Sequence, residues 1–536
     1  KEIGRVPLLS AEEEAALAEE EQKAASADKD DKKSKKNKKD KDADKKEMKL
    51  DLENRLYRTA RLTPVSGFLM DYRLSPKMDK LYYTVLGQDG KYDLMMTDLR
   101  KKETSRLLSD LTGGFEMDKK GEKLYVLSGS GIQEVTLPSG EGCSASVKAI
   151  EYNAEYSRIP SQEREYIFDH VISQVRDKFY DENLHGVDWD MYARDYRRFL
   201  PYINNNRDFA TLLSELLGEL NASHTGGRFY APGAPAATSN AVLGAFFDEN
   251  YDGDGLKISE ILKRGPLATD KAGLSAGDII TAIDGLPVKS GVDYYPLLEG
   301  KAGKKVRLTV SHNGASKDIT VRPITPGKQN ELLYRRYVER NRAIVDSVSG
   351  GRVAYVHVQG MDSPSFRTVY DELLGLQRDK EAVVVDTRYN GGGWLHNDLA
   401  ILLSGKEYVR FSPRGQYIGH EPFSQWTKPS VMLTNESNYS DAHGSPYTYQ
   451  TLGLGKIVGA PVPGTMTAVW WETQVDPTIV FGIPQVTSLD KNGKALENQQ
   501  LNPDVEVYNL PADVLKGIDT QLIEATKELL RQLDAK

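Results

Sequence analysis

Two polar loops follow apolar runs of the sequence, and both carry residue types that suit hydrolytic chemistry. Residues 386–393 read DTRYNGGG, and residues 433–446 read LTNESNYSDAHGSP and contain Ser440. In α/β enzymes such loops at strand ends hold the nucleophile and the groups that stabilise an oxyanion. We therefore interpret Ser440 as a nucleophile and the glycine run as a source of backbone N–H groups.

A serine hydroxyl is a weak nucleophile at its ordinary pKa and needs a neutral imidazole within hydrogen-bond reach. Of the eight histidines, His224 is the best placed, because it follows a leucine-rich helical pattern at 208–220 and precedes two glycines. The alternative is that His224 has only a structural role, as a histidine that caps the C-terminus of that helix. His443 is a rival base, although on the loop of Ser440 its ring would point away from the hydroxyl or collapse onto it. We expect His396 to be a packing or surface residue.

The glycines at 391–393 stand between an apolar strand pattern and a helical pattern, where backbone N–H groups face a positive helix end. A phosphate cradle is one interpretation, but neither a GxGxxG motif nor a P-loop lysine accompanies them. The pattern favours an oxyanion hole made by the N–H of Gly391 or Gly392 and that of Asp441. A tight turn that requires glycine is the structural alternative.

Composition limits the remaining classes of function. A chain of 536 residues exceeds one hydrophobic core and predicts three or four domains. The net charge of -8 gives no general attraction to nucleic acid or to an anionic membrane surface. The single cysteine, Cys143, excludes an internal disulfide framework and a thiolate metal cage. We expect no cofactor, no metal and no membrane span, and we expect the natural N-terminus to be missing or processed because the chain begins at Lys1.

The first 150 residues divide into two patterns. Residues 1–50 combine a capping-box helix at 10–25 with a run of interleaved Lys and Asp that predicts a disordered, solvated loop rather than a nucleic-acid tail. Residues 51–150 read as short strands, and the tripeptide Lys-Leu-Tyr at 80–82 recurs after 43 residues at 123–125. This repeat predicts two blades of an incomplete β-propeller, and hence the C-terminal part of a longer protein. A small β-domain with a chance repeat is the alternative.

Three further domains follow. Residues 151–240 hold amphipathic helical patterns at 163–180 and 208–220 and the candidate base. Residues 241–326 form a separate small domain. Residues 327–536 alternate apolar strands with amphipathic helices, which predicts a parallel sheet covered on both faces that binds ligands beyond its carboxyl ends, with one closing helix at 513–533.

The segment KAGLSAGDIITAIDG at 271–285 resembles the GLxxGDxIxxIxG segment of the PDZ family. PDZ domains add an extended peptide to a sheet and hold its terminal carboxylate in backbone N–H groups. The resemblance implies a peptide-binding module whose carboxylate cradle is the loop 252–256, with Gly255 and Leu256 as binding residues. An EF-hand interpretation of the same loop fails because the position of the bidentate glutamate is Ser259.

The chain from 161 to 507 resembles the tricorn protease family, which is related to the carboxyl-terminal processing peptidases. The matching segments are HGVDWDMYARDYR (185–197), LLGELNASH (216–224), the PDZ-like segment, DTRYNGGG, the pair Ser440-Asp441, and LENQQLNPDVEV (496–507). The resemblance implies a multidomain α+β and α/β protein: partial propeller blades, a mixed helical subdomain, a PDZ-like domain and a crotonase-like α/β subdomain.

The same resemblance implies a catalytic tetrad. Ser440 attacks the scissile carbonyl, His224 transfers the proton, Ser223 bonds the far side of the imidazole, and Glu497 orients Ser223. Related peptidases use a Ser-Lys dyad instead, but residues 459–471, where that lysine is expected, contain none. The segment 411–417 has no clear counterpart in the family, so the sequence leaves the cleavage preference open.

We therefore predict a serine peptidase that hydrolyses peptides. The alternatives are a noncatalytic peptide-binding scaffold and a Ser-Lys processing peptidase. The predicted partners are peptide substrates, without nucleic acid or membrane, and the resemblance implies a homo-oligomer, specifically a hexamer. It also implies the cytoplasm, with the periplasm as the location if a leader was removed.

Overall fold

The computed structural model describes residues 61–64, 67–87, 90–129, 131–138, 145–153, 155–231, 239–312 and 314–535. The predicted capping-box helix and the Lys/Asp-rich segment lie outside these residues. The chain divides into two compact units, Lys1–Ser157 and Arg158–Lys536.

The first unit contains two four-stranded antiparallel sheets, each with its strands in chain order. The strands are β1 (Leu69–Leu74), β2 (Lys80–Leu86), β3 (Tyr92–Asp98) and β4 (Glu103–Leu111), then β5 (Phe115–Met117), β6 (Lys123–Ser128), β7 (Gly131–Thr136) and β8 (Ser146–Ile150). The repeated Lys-Leu-Tyr begins the second strand of each sheet, where its leucine is buried in both cases. The repeat therefore marks equivalent positions, and the assignment of the sheets as propeller blades stays a prediction.

The second unit begins with three helices and a strand. These are α1 (Pro160–Lys178), α2 (Trp189–Arg197), α3 (Asn206–Gly218) and β9 (Gly226–Phe229). The predicted helices at 163–180 and 208–220 are thus confirmed, with ends shifted by two or three residues. Asn205 caps α3 by accepting the N–H of Asp208, and the leucines of the helix are buried. This helix delivers the chain directly to Ser223 and His224.

The small domain is an antiparallel sheet with the order β10-β11-β12-β14-β15 and β13 attached to β12. Its strands are β10 (Ala245–Phe247), β11 (Leu256–Ile261), β12 (Ile279–Ile283), β13 (Leu286–Pro287), β14 (Val306–His312) and β15 (Ala315–Val321). A long helix, α4 (Pro326–Ser349), follows and ends at Gly350, whose φ of 59° suits a glycine cap. Because β10 is an end strand, its outer edge is open for pairing.

The remaining chain builds a parallel sheet of order β16-β17-β20-β21-β24, which confirms the predicted sheet type. The elements in order are β16 (Val353–His357), α5 (Ser363–Asp371), β17 (Ala382–Asp386), α6 (His396–Leu403), β18 (Val409–Phe411), β19 (Gly419–Glu421), β20 (Ser430–Thr434), α7 (Asp441–Thr451), β21 (Lys456–Gly459), β22 (Thr467–Thr473), β23 (Ile479–Thr487), β24 (Val505–Glu506), α8 (Pro511–Leu515) and α9 (Thr520–Asp534). The narrower crotonase-like assignment stays a prediction.

The continuous apolar strands are explained by cores on both faces of this sheet. Ala354 and Val356 of β16 enter a cluster with residues of α5, α6 and α7. Val353 and Tyr355 enter the opposite cluster with residues of α4 and α9. Successive side chains of a strand point to opposite faces, so both faces must be apolar when helices cover both.

A third sheet, β22-β23-β9, joins distant parts of the second unit. Ile479, Phe481 and Ile483 of β23 lie in one core cluster with Phe209 and Leu213 of α3. The predicted domain boundary at residue 327 therefore places β23 in a different domain from the helices against which it packs. The sheet also brings the start of β22 close to the residues that precede β9.

The predicted closing helix at 513–533 is wrong in one respect, because the chain forms two helices there. Gly517 has a φ of 79°, which ends α8, and the Asp519 side chain then accepts the N–H of Leu522 at the start of α9. Across the described residues, the helices are too short or too polar to cross a membrane.

Candidate active site

Ser440 lies between the buried strand β20 and the helix α7, in a strained backbone conformation. Its φ of 58° and ψ of -124° belong to a region that residues other than glycine rarely adopt, at a cost of about 1–3 kcal/mol. The Ser440 N–H donates to Thr465 Oγ1 at 2.9 Å, and the Asn435 N–H donates to Asn438 Oδ1 at 3.0 Å. Strain of this kind is typical of functional positions, and the turn leaves the Ser440 side chain only half-buried.

The glycine loop contacts Ser440 directly. A Cβ atom built on Gly392 would lie 2.4 Å from the Ser440 Cβ, and the Gly392 φ is 98°, so this position requires glycine. Gly391 by contrast is exposed, and a Cβ there would meet nothing within 4 Å. The loop therefore has one glycine that packs against the nucleophile and one that faces open space.

The predicted oxyanion donors have different environments. The Gly392 N–H donates to Asn390 Oδ1 at 2.8 Å, so the prediction of Gly392 as an oxyanion donor does not fit its existing bond. Within the described ranges, the N–H groups of Gly391 and Asp441 donate no hydrogen bond. Asp441 is the first residue of α7, where backbone N–H groups are left unpaired by the helix.

The side chain of Asp441 ties the nucleophile helix to the chain that follows the glycines. Its buried carboxylate accepts the backbone N–H of Leu395 at 2.5 Å and that of His396 at 3.0 Å. It also binds the His396 ring, and this hydrogen bond raises the pKa of His396. The expectation that His396 is a packing or surface residue did not include this hydrogen bond to Asp441.

A buried ion pair fixes the first residues of the same loop. Arg388 lies fully inside the protein and donates to Asp386 Oδ2 at 2.8 Å and to Asp519 Oδ2 at 2.9 Å. Buried charges persist only when paired and hydrogen-bonded, so these contacts anchor the loop to α9. No motif or spacing in the sequence predicts this role for Arg388.

The predicted base lies in a chain of hydrogen bonds. Ser223 Oγ is 2.8 Å from His224 Nδ1 and donates to Glu497 Oε2 at 3.0 Å. The Ser223 N–H donates to the other carboxylate oxygen of Glu497 at 2.5 Å. The Glu497 carboxylate, 274 positions later in the chain than Ser223, is thus connected through the Ser223 hydroxyl to the imidazole of His224.

Burial sets the protonation of this chain. Burial lowers the pKa of His224 below its ordinary value, which favours the neutral imidazole. Burial raises the pKa of Glu497, and its hydrogen bonds to the backbone and side chain of Ser223 act in the opposite direction. A neutral imidazole at neutral pH is the form that a general base requires.

Thr467, at the start of β22, is a further polar contact that the sequence analysis missed. Its Oγ1 lies 2.9 Å from Ser223 Oγ and 3.0 Å from His224 Nδ1. A threonine within a strand pattern gives no local signal, because only the pairing of β22 with β23 brings it to this place. The Thr467 hydroxyl therefore contacts the same imidazole nitrogen, Nδ1, as the Ser223 hydroxyl.

The two parts of the site meet through neighbours of Ser440. The His224 N–H donates to Tyr439 Oη at 2.7 Å, and the two rings lie 4.7 Å apart between centroids. Thr465 binds the Ser440 N–H, and Thr467, two residues later, binds the base. The fold therefore places the base and nucleophile loops side by side.

The two rival bases have other environments. His443 is buried, its Nδ1 accepts the Thr465 N–H at 3.3 Å, and burial lowers its pKa to about 4. The first lysine after Ser440, Lys456, begins β21 at the amino end of the parallel sheet and pairs with Glu528 at 2.6 Å. Both contacts disfavour these residues as proton acceptors for Ser440.

The predicted peptide-binding residues line a second cavity of about 420 Å³ in the small domain. Gly255 and Leu256 share it with Phe246 and Tyr294. Strand β11 pairs with β10 through residues 258–261 and with β12 through Leu256 and Lys257. The outer edge of the end strand β10 is open for strand addition, and the assignment of Gly255 and Leu256 as peptide-binding residues stays a prediction.

The site contains no group of three or more His, Cys, Asp or Glu side chains arranged to hold a metal ion, and none occurs elsewhere in the described residues.

Family models match consecutive parts of the second unit. The tricorn protease C1 domain matches residues 160–218, the tricorn protease PDZ domain matches 249–326, and peptidase family S41 matches 352–507. A model of sigma-70 factor region 1.2 matches residues 1–23, outside the described part. The peptidase S41 match includes Ser440 and Glu497, whereas Ser223 and His224 lie between the C1 and PDZ matches.

The chain is also similar to whole proteins of the same kind. Tricorn protease homolog 1 of Streptomyces coelicolor is 28% identical over 88% of this chain and 44% of its own length. Tricorn protease of Thermoplasma acidophilum is 26% identical over 68% of this chain and 35% of its own length. The crystal structure of the tricorn protease has a TM-score of 0.74 at 21% identity, over 87% of this chain and 47% of that one. The chain thus spans less than half the length of these relatives.

Proposed function

Since the chain belongs to the tricorn protease family, we propose that it is a serine peptidase that hydrolyses peptides, with Ser440 as nucleophile and His224 as general base. The observation that carries this proposal is the hydrogen-bond chain from Glu497 through Ser223 to His224, next to the loop of the strained Ser440. The chain aligns with less than half the length of these relatives, so the proposal concerns the activity of this chain alone.

The direction of the hydrogen bonds selects the tautomer. Ser223 Oγ–H donates to Glu497, so the Ser223 oxygen accepts a hydrogen bond from the Nδ1–H of His224. This leaves the lone pair on Nε2 to take the Ser440 hydroxyl proton as Oγ attacks the scissile carbonyl carbon. The imidazolium then gives that proton to the leaving amine, and a water molecule repeats the sequence to release the acyl group.

The oxyanion that forms on the carbonyl oxygen needs donors at the start of α7. We assign the N–H of Gly391 and that of Asp441 to this role, because both are unpaired within the described residues. The dipole of α7, a helix of 11 residues, adds positive potential at the same place. Gly392 instead supplies close packing against Ser440.

The PDZ-like module guides the substrate in this proposal. An extended peptide pairs with the open edge of β10 above the cavity lined by Phe246 and Tyr294. Assembly into a homo-oligomer and a location in the cytoplasm stay predictions from the family. The noncatalytic scaffold uses the same β10 edge but lacks any reaction at Ser440.

Labelling with a fluorophosphonate probe and hydrolysis of a quenched peptide test the proposal. We expect labelling of the natural chain, none of Ser440→Ala, and full labelling of Ser437→Ala, an exposed serine on the same loop. His224→Ala should lose hydrolysis, whereas His443→Gln, which keeps an acceptor for the Thr465 N–H, should retain it. An unlabelled natural chain with normal circular dichroism would favour the scaffold.

A further inference from the structure

A cavity lined by described residues of the second unit lies beside the candidate active site and has no role in the mechanism above. Its volume is about 840 Å³, and its walls come from α4, from α5, from the residues that follow β16 and from Arg264, which follows β11. One wall is Gly360 and Asp362, and the Met361 between them donates its N–H to Gly392 O at 3.2 Å. The cavity and the glycine loop therefore share a wall.

The charges that line this cavity are unevenly paired. Glu372 pairs with Arg342 at 2.9 Å. Glu339 pairs with Lys263 at 2.7 Å, and Glu331 pairs with Lys328 at 2.5 Å. The fourth carboxylate, Asp362, caps α5 by accepting the Ser365 N–H at 2.8 Å. Every acidic group of the lining thus has a donor from the protein itself.

The basic groups are not matched in the same way. Arg264 and Arg335 line the cavity, and neither side chain makes a hydrogen bond or an ion pair with any part of the chain that the structure describes. Arg342 has its partner Glu372, yet its buried Nε–H has no acceptor among those residues. The lining therefore offers unused guanidinium donors and few unused acceptors.

We propose that this cavity is a substrate subsite that binds a carboxylate of the peptide through Arg264 and Arg335. A guanidinium presents paired N–H donors that match the two oxygens of a carboxylate. A peptide offers that group as an acidic side chain or as its C-terminus. The inference rests on the proposed peptidase function, because the cavity touches the loop that would contact the scissile bond.

Binding to the Ser440→Ala chain tests the proposal without hydrolysis. Fluorescence anisotropy would compare one labelled peptide with a free carboxyl terminus against its amide, and an amidated peptide with internal Glu against the same peptide with Gln. We expect the acidic member of one pair to bind about tenfold more tightly, which is typical of one charge-assisted hydrogen bond. The pair that shows the difference identifies the source of the carboxylate.

The matched variants decide whether the cavity is responsible. Arg264→Gln combined with Arg335→Gln should abolish the difference, whereas Arg367→Gln, an exposed arginine of α5 outside the cavity, should preserve it. PDZ domains also bind carboxyl termini, so a preference that persists in the double variant overturns the proposal, as does equal or absent binding in both pairs. If the preference appears but the natural chain hydrolyses no peptide, only the proposed function fails.

Discussion

The nucleophile side and the base side of the site are built in different ways. Ser440, the glycines and Asp441 come from two loops that follow neighbouring strands of one parallel sheet. On the base side, side-chain hydrogen bonds join Ser223 to Thr467 and Glu497, which lie 244 and 274 positions later in the chain. The first side depends on backbone conformation, and the second depends on the direction of individual hydrogen bonds.

The largest effect is expected on the base side, from Glu497→Gln. The glutamine amide can donate to Ser223 Oγ, so the Ser223 hydroxyl would turn to donate to His224 Nδ1 and leave the proton on Nε2. The wrong tautomer lowers kcat by about 10³ to 10⁴-fold in comparable triads. Steady-state hydrolysis by Glu436→Gln, an exposed carboxylate on the nucleophile loop, serves as the control and should be nearly unchanged. Equal activity of both variants would contradict the hydrogen-bond chain.

Backbone geometry predicts the next effect, on the nucleophile side. Gly392→Ala places a Cβ 2.4 Å from the Ser440 Cβ and 2.8 Å from Tyr439 O at a φ of 98°. Displacement of the nucleophile by this contact should lower kcat by about 100-fold. The Cβ of Gly391→Ala would have no atom within 4 Å, so this variant should keep much more of its kcat. Comparable losses in kcat would remove the distinction between the two glycines.

A smaller effect is expected from Thr467→Val, which removes one hydroxyl beside the base and keeps the side-chain shape. The loss of one neutral hydrogen bond should lower kcat by about threefold to tenfold with KM unchanged. Thr473→Val, an exposed position at the other end of β22, is the matched control. A change in KM alone would show that Thr467 contacts substrate instead of positioning the imidazole.

The smallest effect is a displacement of the pH profile. Burial lowers the pKa of His224 from 6.5, and the base must be neutral to accept a proton. Activity is therefore lost as pH falls through the lowered pKa, so the acid limb of kcat/KM should have its midpoint below pH 6.5. A midpoint above that value would indicate that a different group controls the acid limb.

Local patterns predicted many elements of the fold because they record burial directly. The leucines of α3 and the valines of β17 are apolar where packing requires it, so the helix and the parallel strand were both recognisable. The closing helix was predicted too long, because the run of helix-forming residues conceals the break at Gly517. The predicted boundary at 327 separates β23 from its core, because Ile479, Phe481 and Ile483 pack against helices more than 250 residues earlier.

The sequence by itself determined the polar loops after β17 and β20, the resemblance that pairs Ser440 with His224, and the small domain at 241–326. Tertiary structure alone decided that the Gly392 N–H donates to Asn390, that Thr467 contacts His224, and that β10 has the open strand edge. The physical reason is the separation along the chain of the residues that interact. Strand and helix patterns arise from neighbours in the chain, whereas the partner of each hydrogen-bonding group depends on which distant segments the folded sheets bring together.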